Sequence, residues 1–150
     1  MSHSPSLERF LTYRLHLVSR TSDRESSAAY VDECGISLSD GRCLAAIGSF
    51  APLSVRDLAR RANQDKAQTS RSVKSLVALG LVGKAASDVD GRGVVLTLTP
   101  AGKRTYRKVM KMIAARNDAI FGALNAAERR TLGTLLDRVT AALGENAVRR

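Results

Sequence analysis

The sequence is poor in several residue types, and each shortage excludes a class of protein. Two cysteines among 150 residues, Cys34 and Cys43, are too few for a disulfide scaffold and lack CxxC spacing. The two histidines, His3 and His16, are not an i, i+4 pair, so neither a metal nor another cofactor is predicted. No apolar run approaches the roughly 18 residues that span a bilayer, and the N-terminus lacks a signal-peptide pattern. These absences predict a cytoplasmic protein.

The motifs of common catalytic sites are missing as well. The sequence contains no P-loop, no GxSxG elbow and no HExxH, and its histidines do not read as part of a triad. We therefore predict that the protein is not an enzyme.

Acidic residues are outnumbered by basic ones. The chain has 24 Lys and Arg against 14 Asp and Glu, which gives a net charge of +10. This excess favours a polyanionic partner, either nucleic acid or an anionic membrane surface. The hydrophobic content of 44% is that of an ordinary globular protein, and the length fits about one domain.

Apolar periodicity and capping residues predict the order helix, helix, helix, helix, hairpin, helix, helix. The first helix runs to about Tyr30 and is ended by Gly35, and the short second helix covers 40–47. Ser54 with Asp57 caps the third helix, and Asp65 or its neighbour caps the fourth. The fourth helix ends at Gly80, and two strand-like runs cover 81–86 and 94–98. Thr99 caps the fifth helix, which has Pro100 at its first position, and Asn125 with Glu128 caps the sixth. The sixth helix carries an apolar stripe of Leu132, Leu135, Leu136, Val139 and Leu143.

The fourth helix has two distinct faces on a helical wheel. Its inward face is predicted to hold Thr69, Val73, Leu76 and Val77. Its outward face holds Ala67, Gln68, Arg71, Lys74 and Ser75, flanked by Ser70. The outward face has no acid and is rich in side chains that contact bases and phosphates, which is unusual for a merely solvated helix face.

A glycine-rich hairpin, SDVDGRGVVLTLTPAG, follows this helix. Two helices joined by a tight turn and followed by a hairpin are typical of a winged helix-turn-helix. Arg92 at the hairpin tip is then a candidate to enter a minor groove, with Asp90 aiming it. The alternative is that Asp90 and Gly91 only form the turn, and both roles are compatible.

The stretches ISLSDGRCLAAI, PLSVRDLARRANQDKAQTSRSVKSLVALGLV and SDVDGRGVVLTLTPAG together resemble the MarR family of winged-helix transcription regulators. The resemblance covers roughly residues 7 to 143. It implies a mainly α fold with a small β-hairpin wing, a winged helix-turn-helix flanked by long dimerisation helices. It also implies one domain over 1–150, with dimerisation helices at about 7–35 and 100–146 and the winged unit at about 36–99.

The resemblance implies a homodimer that binds double-stranded DNA at a pseudo-palindromic operator. The apolar stripes of the long helices, which exceed what the small winged unit can cover, independently favour dimerisation. The predicted DNA contacts are Ser54, Arg56, Lys66, Ala67, Gln68, Thr69, Ser70, Arg71, Lys74, Asp90 and Arg92.

The resemblance further implies a repressor that a small, aromatic or phenolic ligand releases from DNA. Four polar residues are predicted near the ligand: Arg14, His16, Arg42 and Cys43. The chain departs from the family at Val89, where wings often carry another arginine. It also departs at Gly41, where a bulky apolar or aromatic residue is usual, and we expect an enlarged cavity beneath the second helix.

Two alternatives stay open. One is a redox-responsive regulator that switches through Cys34 or Cys43, although an inward-facing Cys43 is more typical of an inert core position. The other is an architectural protein that binds DNA without sequence preference. The basic run KRTYRKVMK is interpreted as one solvated side of a core helix.

Overall fold

The computed structural model describes residues 4–87 and 93–148, the last four of these without their side chains. These residues form six α-helices and one two-stranded hairpin. The elements in chain order are α1 (Leu11–Ala29), α2 (Leu38–Phe50), α3 (Val55–Arg61), α4 (Lys66–Ala78), β1 (Val82–Ala86), β2 (Val94–Leu98), α5 (Pro100–Ile120) and α6 (Ala126–Val148). A 3-10 turn, Leu7–Arg9, precedes α1, and a π-helical turn, Tyr30–Cys34, follows it. The predicted mainly α fold with a hairpin wing is confirmed.

Most predicted helix boundaries follow the capping residues. The Ser54 hydroxyl accepts a hydrogen bond from the Asp57 amide at 3.1 Å, and the Asp65 carboxylate accepts one from the Gln68 amide at 2.8 Å. Gly35 and Gly80 have φ angles of 68° and 70°, a left-handed conformation that ends each helical segment.

Helix α2 begins two residues earlier and ends three residues later than predicted. The Ser37 hydroxyl accepts a hydrogen bond from the Asp40 amide at 3.1 Å, so the helix begins directly after Ser37. The sequence prediction overlooked this serine as a cap.

The hairpin pairs β1 and β2 antiparallel, from Val82 opposite Leu98 to Ala86 opposite Val94. The loop before α3 adds a short third segment, since the Leu96 amide donates to the Leu53 carbonyl at 2.8 Å. This bridge ties the middle of β2 to the chain that leads into α3.

The chain divides into two units, one ending at Ala114 and the other beginning at Ala115. The first unit contains a continuous core in which α2, α3, α4, the hairpin and the early part of α5 each bury side chains. Its most completely buried apolar residues include Leu44, Ile47, Leu58, Leu76 and Leu96. In the second unit, Asn125 and Glu128 exchange backbone-to-side-chain hydrogen bonds of 2.9 and 2.8 Å, the capping box that the sequence predicts.

The expected cavity beneath α2 at Gly41 is filled. The ring of Tyr30 packs on this glycine so closely that a Cβ atom there would lie 2.1 Å from the ring. Tyr30 is buried, so an aromatic side chain from the end of the first helical segment occupies the space that Gly41 leaves. The expectation was wrong because the compensating residue is distant in sequence.

Candidate nucleic-acid interface

The first predicted phosphate contacts lie at the start of α3. The Ser54 hydroxyl accepts the capping bond from Asp57, and this bond does not use the hydroxyl hydrogen. Arg56 is exposed in the first turn of the same helix. A hydroxyl donor and a guanidinium at a helix N-terminus are well suited to a phosphate oxygen.

The outward face of α4 presents positive charge to solvent. Its exposed residues are Lys66, Ala67, Arg71 and Lys74, with Ser70 half-buried beside them. Ser75, which the helical wheel placed on this face, is half-buried and donates its hydroxyl hydrogen to the carboxylate of the buried Asp40 at 2.7 Å. Ser75 therefore holds α4 against α2.

Thr69 lies on the inner side of α4 and not on the face with Arg71. Its side chain is 0% exposed, and its hydroxyl donates to the Asp65 carbonyl at 2.8 Å. A side chain so placed stabilises the first turn of the helix and cannot reach a base edge. The prediction that counted it among the DNA contacts is corrected accordingly.

The inner face of α4 differs from the wheel at one further position. Val77, predicted inward, is 37% exposed, and the buried residue on that side is Ser72. Ser72 is tolerated in the core because its hydroxyl has a partner, the Ser39 hydroxyl at 2.9 Å. Burial of a serine is invisible to a pattern that counts only apolar residues.

Gln68 is half-buried, and both ends of its amide are bonded within the protein. Its Nε2 donates to the Ser39 hydroxyl at 2.7 Å, and its Oε1 accepts from Arg71 Nη2 at 2.7 Å. The side chain therefore lies at the edge of the outward face, where both of its amide atoms already have partners within the protein.

The hairpin lies directly after α4 in the chain. The strands are paired up to Ala86 and Val94, and the Ser87 amide donates to the Gly93 carbonyl at 3.2 Å. The tip residues Val89, Asp90 and Arg92 lie outside the residues that the structure describes. The predicted minor-groove role of Arg92 stays a prediction.

The four residues predicted near a ligand have separate surroundings. Arg14 and His16 are exposed on α1, where Arg14 Nε donates to the Glu8 carbonyl at 2.9 Å. Arg42 is paired with Asp23, and Cys43 is 0% exposed with its thiol donating to Gln64 Oε1 at 3.3 Å. A fully buried thiol and two exposed side chains of α1 do not form one pocket within the chain.

A different cleft, of about 500 Å³, lies between α2, β2 and the first turns of α5. Its lining residues are Ile47, Gly48, Ala51, Pro52, Thr97, Leu98, Lys103, Tyr106 and Arg107. The Tyr106 ring packs on Gly48, where a Cβ atom would lie 2.3 Å from the ring, and its hydroxyl is 3.1 Å from the Ser49 hydroxyl. The cleft thus combines apolar walls with two exposed cations.

This cleft is not predicted from the sequence, because the run KRTYRKVMK was interpreted as a solvated face. Lys103, Tyr106 and Arg107 have i, i+3 and i, i+4 spacing and so share one side of α5. That spacing was the available signal. The opposing wall from α2 and β2 could not be read from it.

Both thiols are poor candidates for redox sensing. Burial, and to a lesser extent the nearby Asp40 carboxylate, raises the pKa of Cys43 to about 11. The pKa of Cys34 is also raised, chiefly by burial and then by the neighbouring Glu33 carboxylate. Since the thiolate is the reactive form, two protonated thiols at neutral pH disfavour a switch through either cysteine.

The described part of the chain offers neither a metal site nor a membrane-spanning helix. No group of three or more His, Cys, Asp or Glu side chains there is arranged to hold a metal ion. None of its helices has the length and apolarity to cross a membrane.

Comparison with known proteins finds similarity to one family. Residues 35–93, from the end of the first helical segment to the start of β2, match the model of the MarR family. The HTH-type transcriptional regulator BilQ of Clostridium symbiosum (strain WAL-14163) is 30% identical over 93 residues, which are 62% of this chain and 65% of that protein. The chain is therefore similar to the MarR family, most directly over the winged unit.

Solved structures of the MarR family share the fold over nearly the whole chain. A MarR/EmrR family transcriptional regulator from Acinetobacter sp. ADP1 has a TM-score of 0.85 at 23% identity, covering 94% of this chain and 99% of that one. A MarR family protein of Mycobacterium tuberculosis, in complex with p-aminosalicylic acid, has a TM-score of 0.71 at 26% identity, covering 87% and 98%. MarR proteins are transcription regulators, so the prediction that the chain is not an enzyme is confirmed.

Proposed function

We propose that this MarR-like protein is a dimeric, sequence-specific DNA-binding repressor that a small aromatic acid releases from a pseudo-palindromic operator. The observation that carries the proposal is the outward face of α4, which is free of acids and exposes Arg71 and Lys74 directly before a β-hairpin. A major groove accepts one α-helix, and arginine is the side chain that most often reads guanine there.

Several further residues fit contacts to the DNA backbone. Ser54 and Arg56 at the start of α3, together with Lys66 at the start of α4, place donors and positive charge beside the recognition face. Ala67 and Ser70 are small enough to let the helix approach the base edges. In this proposal Arg92 contacts the neighbouring minor groove, with Asp90 orienting it.

The exposed apolar residues of α1 and α6 support the dimer. Leu11, Leu15 and Leu17 on α1 are more than half exposed in the single chain, and Val139 and Leu143 on α6 are exposed to a similar extent. Large apolar side chains exposed in series are typical of a surface that another molecule covers. In this proposal a second copy of the chain covers the exposed apolar side chains of both helices and brings a second α4 to a second half-site.

The test of this function is selection from a random pool of duplexes with the purified full chain at physiological salt. We expect enrichment of a pseudo-palindrome whose half-sites are about one helical turn apart. Uniform binding that weakens steeply with salt would instead indicate an architectural DNA-binding protein, because phosphate contacts carry no sequence information.

Two variants distinguish recognition of a base pair from electrostatic attraction to the phosphates. Arg71→Ala should relax the preference at one base pair of each half-site by about 1–3 kcal/mol. Lys74→Ala should weaken binding to all duplexes and lower the slope of log affinity against log salt by about one per site. Lys111→Ala, which removes an exposed charge from α5, is the matched control.

The cleft beside α5 is our candidate for the effector site. An aromatic acid can place its ring between the apolar walls and its carboxylate near Lys103 and Arg107. The complex of the M. tuberculosis relative with p-aminosalicylic acid supports this class of ligand. Because Thr97 and Leu98 of β2 line the cleft, an occupant contacts the base of the wing, which offers a route to release of DNA.

Titration of p-aminosalicylate into the complex with the selected duplex tests this site. Lys103→Met should raise the concentration needed for release by about tenfold, the loss of one charge-assisted hydrogen bond. Lys111→Met, on the same helix but outside the cleft, should have no effect. If the wild type and the Lys103 variant release DNA at the same p-aminosalicylate concentration, the ligand does not bind in this cleft.

A further inference from the structure

A chain of hydrogen bonds runs from α2 to the outward face of α4 and ends on Arg71. The Ser39 hydroxyl, in the first turn of α2, accepts from Gln68 Nε2 at 2.7 Å. Gln68 Oε1 in turn accepts from Arg71 Nη2 at 2.7 Å. The chain therefore links the interior of the winged unit to the exposed guanidinium that is best suited to read a base.

The chemistry of the side chains fixes the direction of this chain. A guanidinium has only donors, so the carbonyl oxygen of the Gln68 amide must face Arg71. The amide nitrogen then faces Ser39. With both ends engaged, Gln68 cannot offer its amide to a base without giving up a partner inside the protein.

Ser39 is the fixed end of the chain. It donates to Gln64 Oε1 at 3.2 Å and lies 2.9 Å from the hydroxyl of the buried Ser72. A hydroxyl has one hydrogen and accepts two bonds, so donating to Gln64 while accepting from Gln68 and Ser72 saturates Ser39. Rotation away from this arrangement would leave half-buried polar groups without partners, which is costly.

We propose that Ser39 and Gln68 are positioning residues that hold the Arg71 guanidinium in the orientation needed to read a base pair. The proposal rests on the DNA-binding function proposed above. A free arginine loses side-chain freedom when it binds, whereas a guanidinium already held by Gln68 loses less. Ser39 thus contributes to base preference although it lies on α2, and Gln68 acts through Arg71 instead of reading a base itself.

The test uses the full chain and the duplex selected by the wild type, with all single-base-pair variants of one half-site. Arg71→Ala identifies the base pair that depends on Arg71. Ser39→Ala should lower the preference at that same base pair by roughly 3- to 10-fold, the worth of a typical hydrogen bond. The salt dependence of binding should not change, since no charge is removed.

Combined variants exclude a merely structural effect. Ser39→Ala added to Arg71→Ala should cause no further loss of preference, because the residue that Ser39 positions is already absent. Ser27→Ala is the matched control, since this half-buried hydroxyl donates to the Asp23 carbonyl of its own helix. It should leave the preference unchanged. If Ser39→Ala fails to fold, Gln68→Met breaks the same chain and keeps the Ser39–Ser72 pair.

The outcomes are distinct. Loss of preference confined to the Arg71 base pair in both the Ser39 and Gln68 variants supports the proposal. Unchanged preference in both, or equal losses at every base pair, overturns it and leaves the DNA-binding function intact. A wild type without any base preference overturns both the function and this inference.

Discussion

Helices α4 and α6 carry similar apolar patterns and bury them to very different extents. Val73 and Leu76 of α4 are 2% and 0% exposed, whereas Leu135, Leu136, Val139 and Leu143 of α6 are 39–65% exposed in the single chain. The inner side of α4 is covered by α2 and α3. A helical stripe predicts that a face is buried, but it does not say which chain buries it.

This comparison separates two kinds of stability. The winged unit completes its core within one chain, so its stability should not depend on protein concentration. If a second copy covers α6, the stability of that region is linked to dimerisation and rises with concentration. Each of the following predictions tests one side of this difference.

Truncation in the core of the winged unit should have the largest effect. Leu76→Ala removes a fully buried side chain of α4 and should lower the free energy of unfolding by about 2–5 kcal/mol. Chemical denaturation at two protein concentrations measures the loss, which should be the same at both. A loss that shrinks as concentration rises would mean that Leu76 is stabilised by the partner.

A charge introduced on the exposed apolar stripe of α6 should weaken dimerisation. Val139→Asp should weaken dimerisation by about 30-fold or more, the effect of losing an interface hot spot of about 2 kcal/mol. Sedimentation equilibrium measures this shift, and Asp137→Ala on the same helix is the control. A Val139 variant that dimerises like the wild type would place the interface elsewhere.

A methyl group at Gly41 should disturb the core locally. Gly41→Ala places a Cβ atom against the Tyr30 ring and should cost about 1–3 kcal/mol of stability through overpacking. In the double variant with Tyr30→Leu, the added methyl should cost less, because the ring is gone. Additive losses in the double variant would contradict the direct contact.

The smallest effect concerns Cys43 and alkaline pH. Its pKa is raised to about 11 from an ordinary value of 9.0, so above pH 9 the unfolded chain loses this proton first. The contribution of the protonated Cys43 thiol to the free energy of unfolding is complete below pH 9 and is lost as the pH rises toward 11. Urea unfolding between pH 8 and 10.5 should show a steeper loss for the wild type than for Cys43→Ala. Parallel curves would show that the thiol titrates normally in the fold.

The sequence predicts well those features that depend on near neighbours. The caps at Ser54, Asp65 and Asn125 and the left-handed glycines at positions 35 and 80 lie where the pattern placed them. Each of these features is decided by residues within one helical turn. The positions of α3, α4 and the hairpin, and with them the candidate recognition face, follow from such signals.

Features that depend on distant residues were not predictable in this way. Tyr30 fills the space at Gly41, and Ser72 is buried because Ser39 of another helix bonds its hydroxyl. The cleft beside Lys103 needs walls from α2 and β2, and the engagement of Gln68 needs Ser39. In each case at least one partner lies on another element of the fold, about which helical periodicity gives no information.

The central claim, that two copies of the chain read two half-sites through α4, is tested most directly by changing the spacing of the half-sites. Affinity is measured for the selected duplex and for one with about half a helical turn inserted at its centre, both half-sites being intact. The account predicts that the insertion weakens binding nearly to that of a random duplex, because the second α4 then faces the wrong side of the DNA. Unchanged affinity would contradict dimeric recognition.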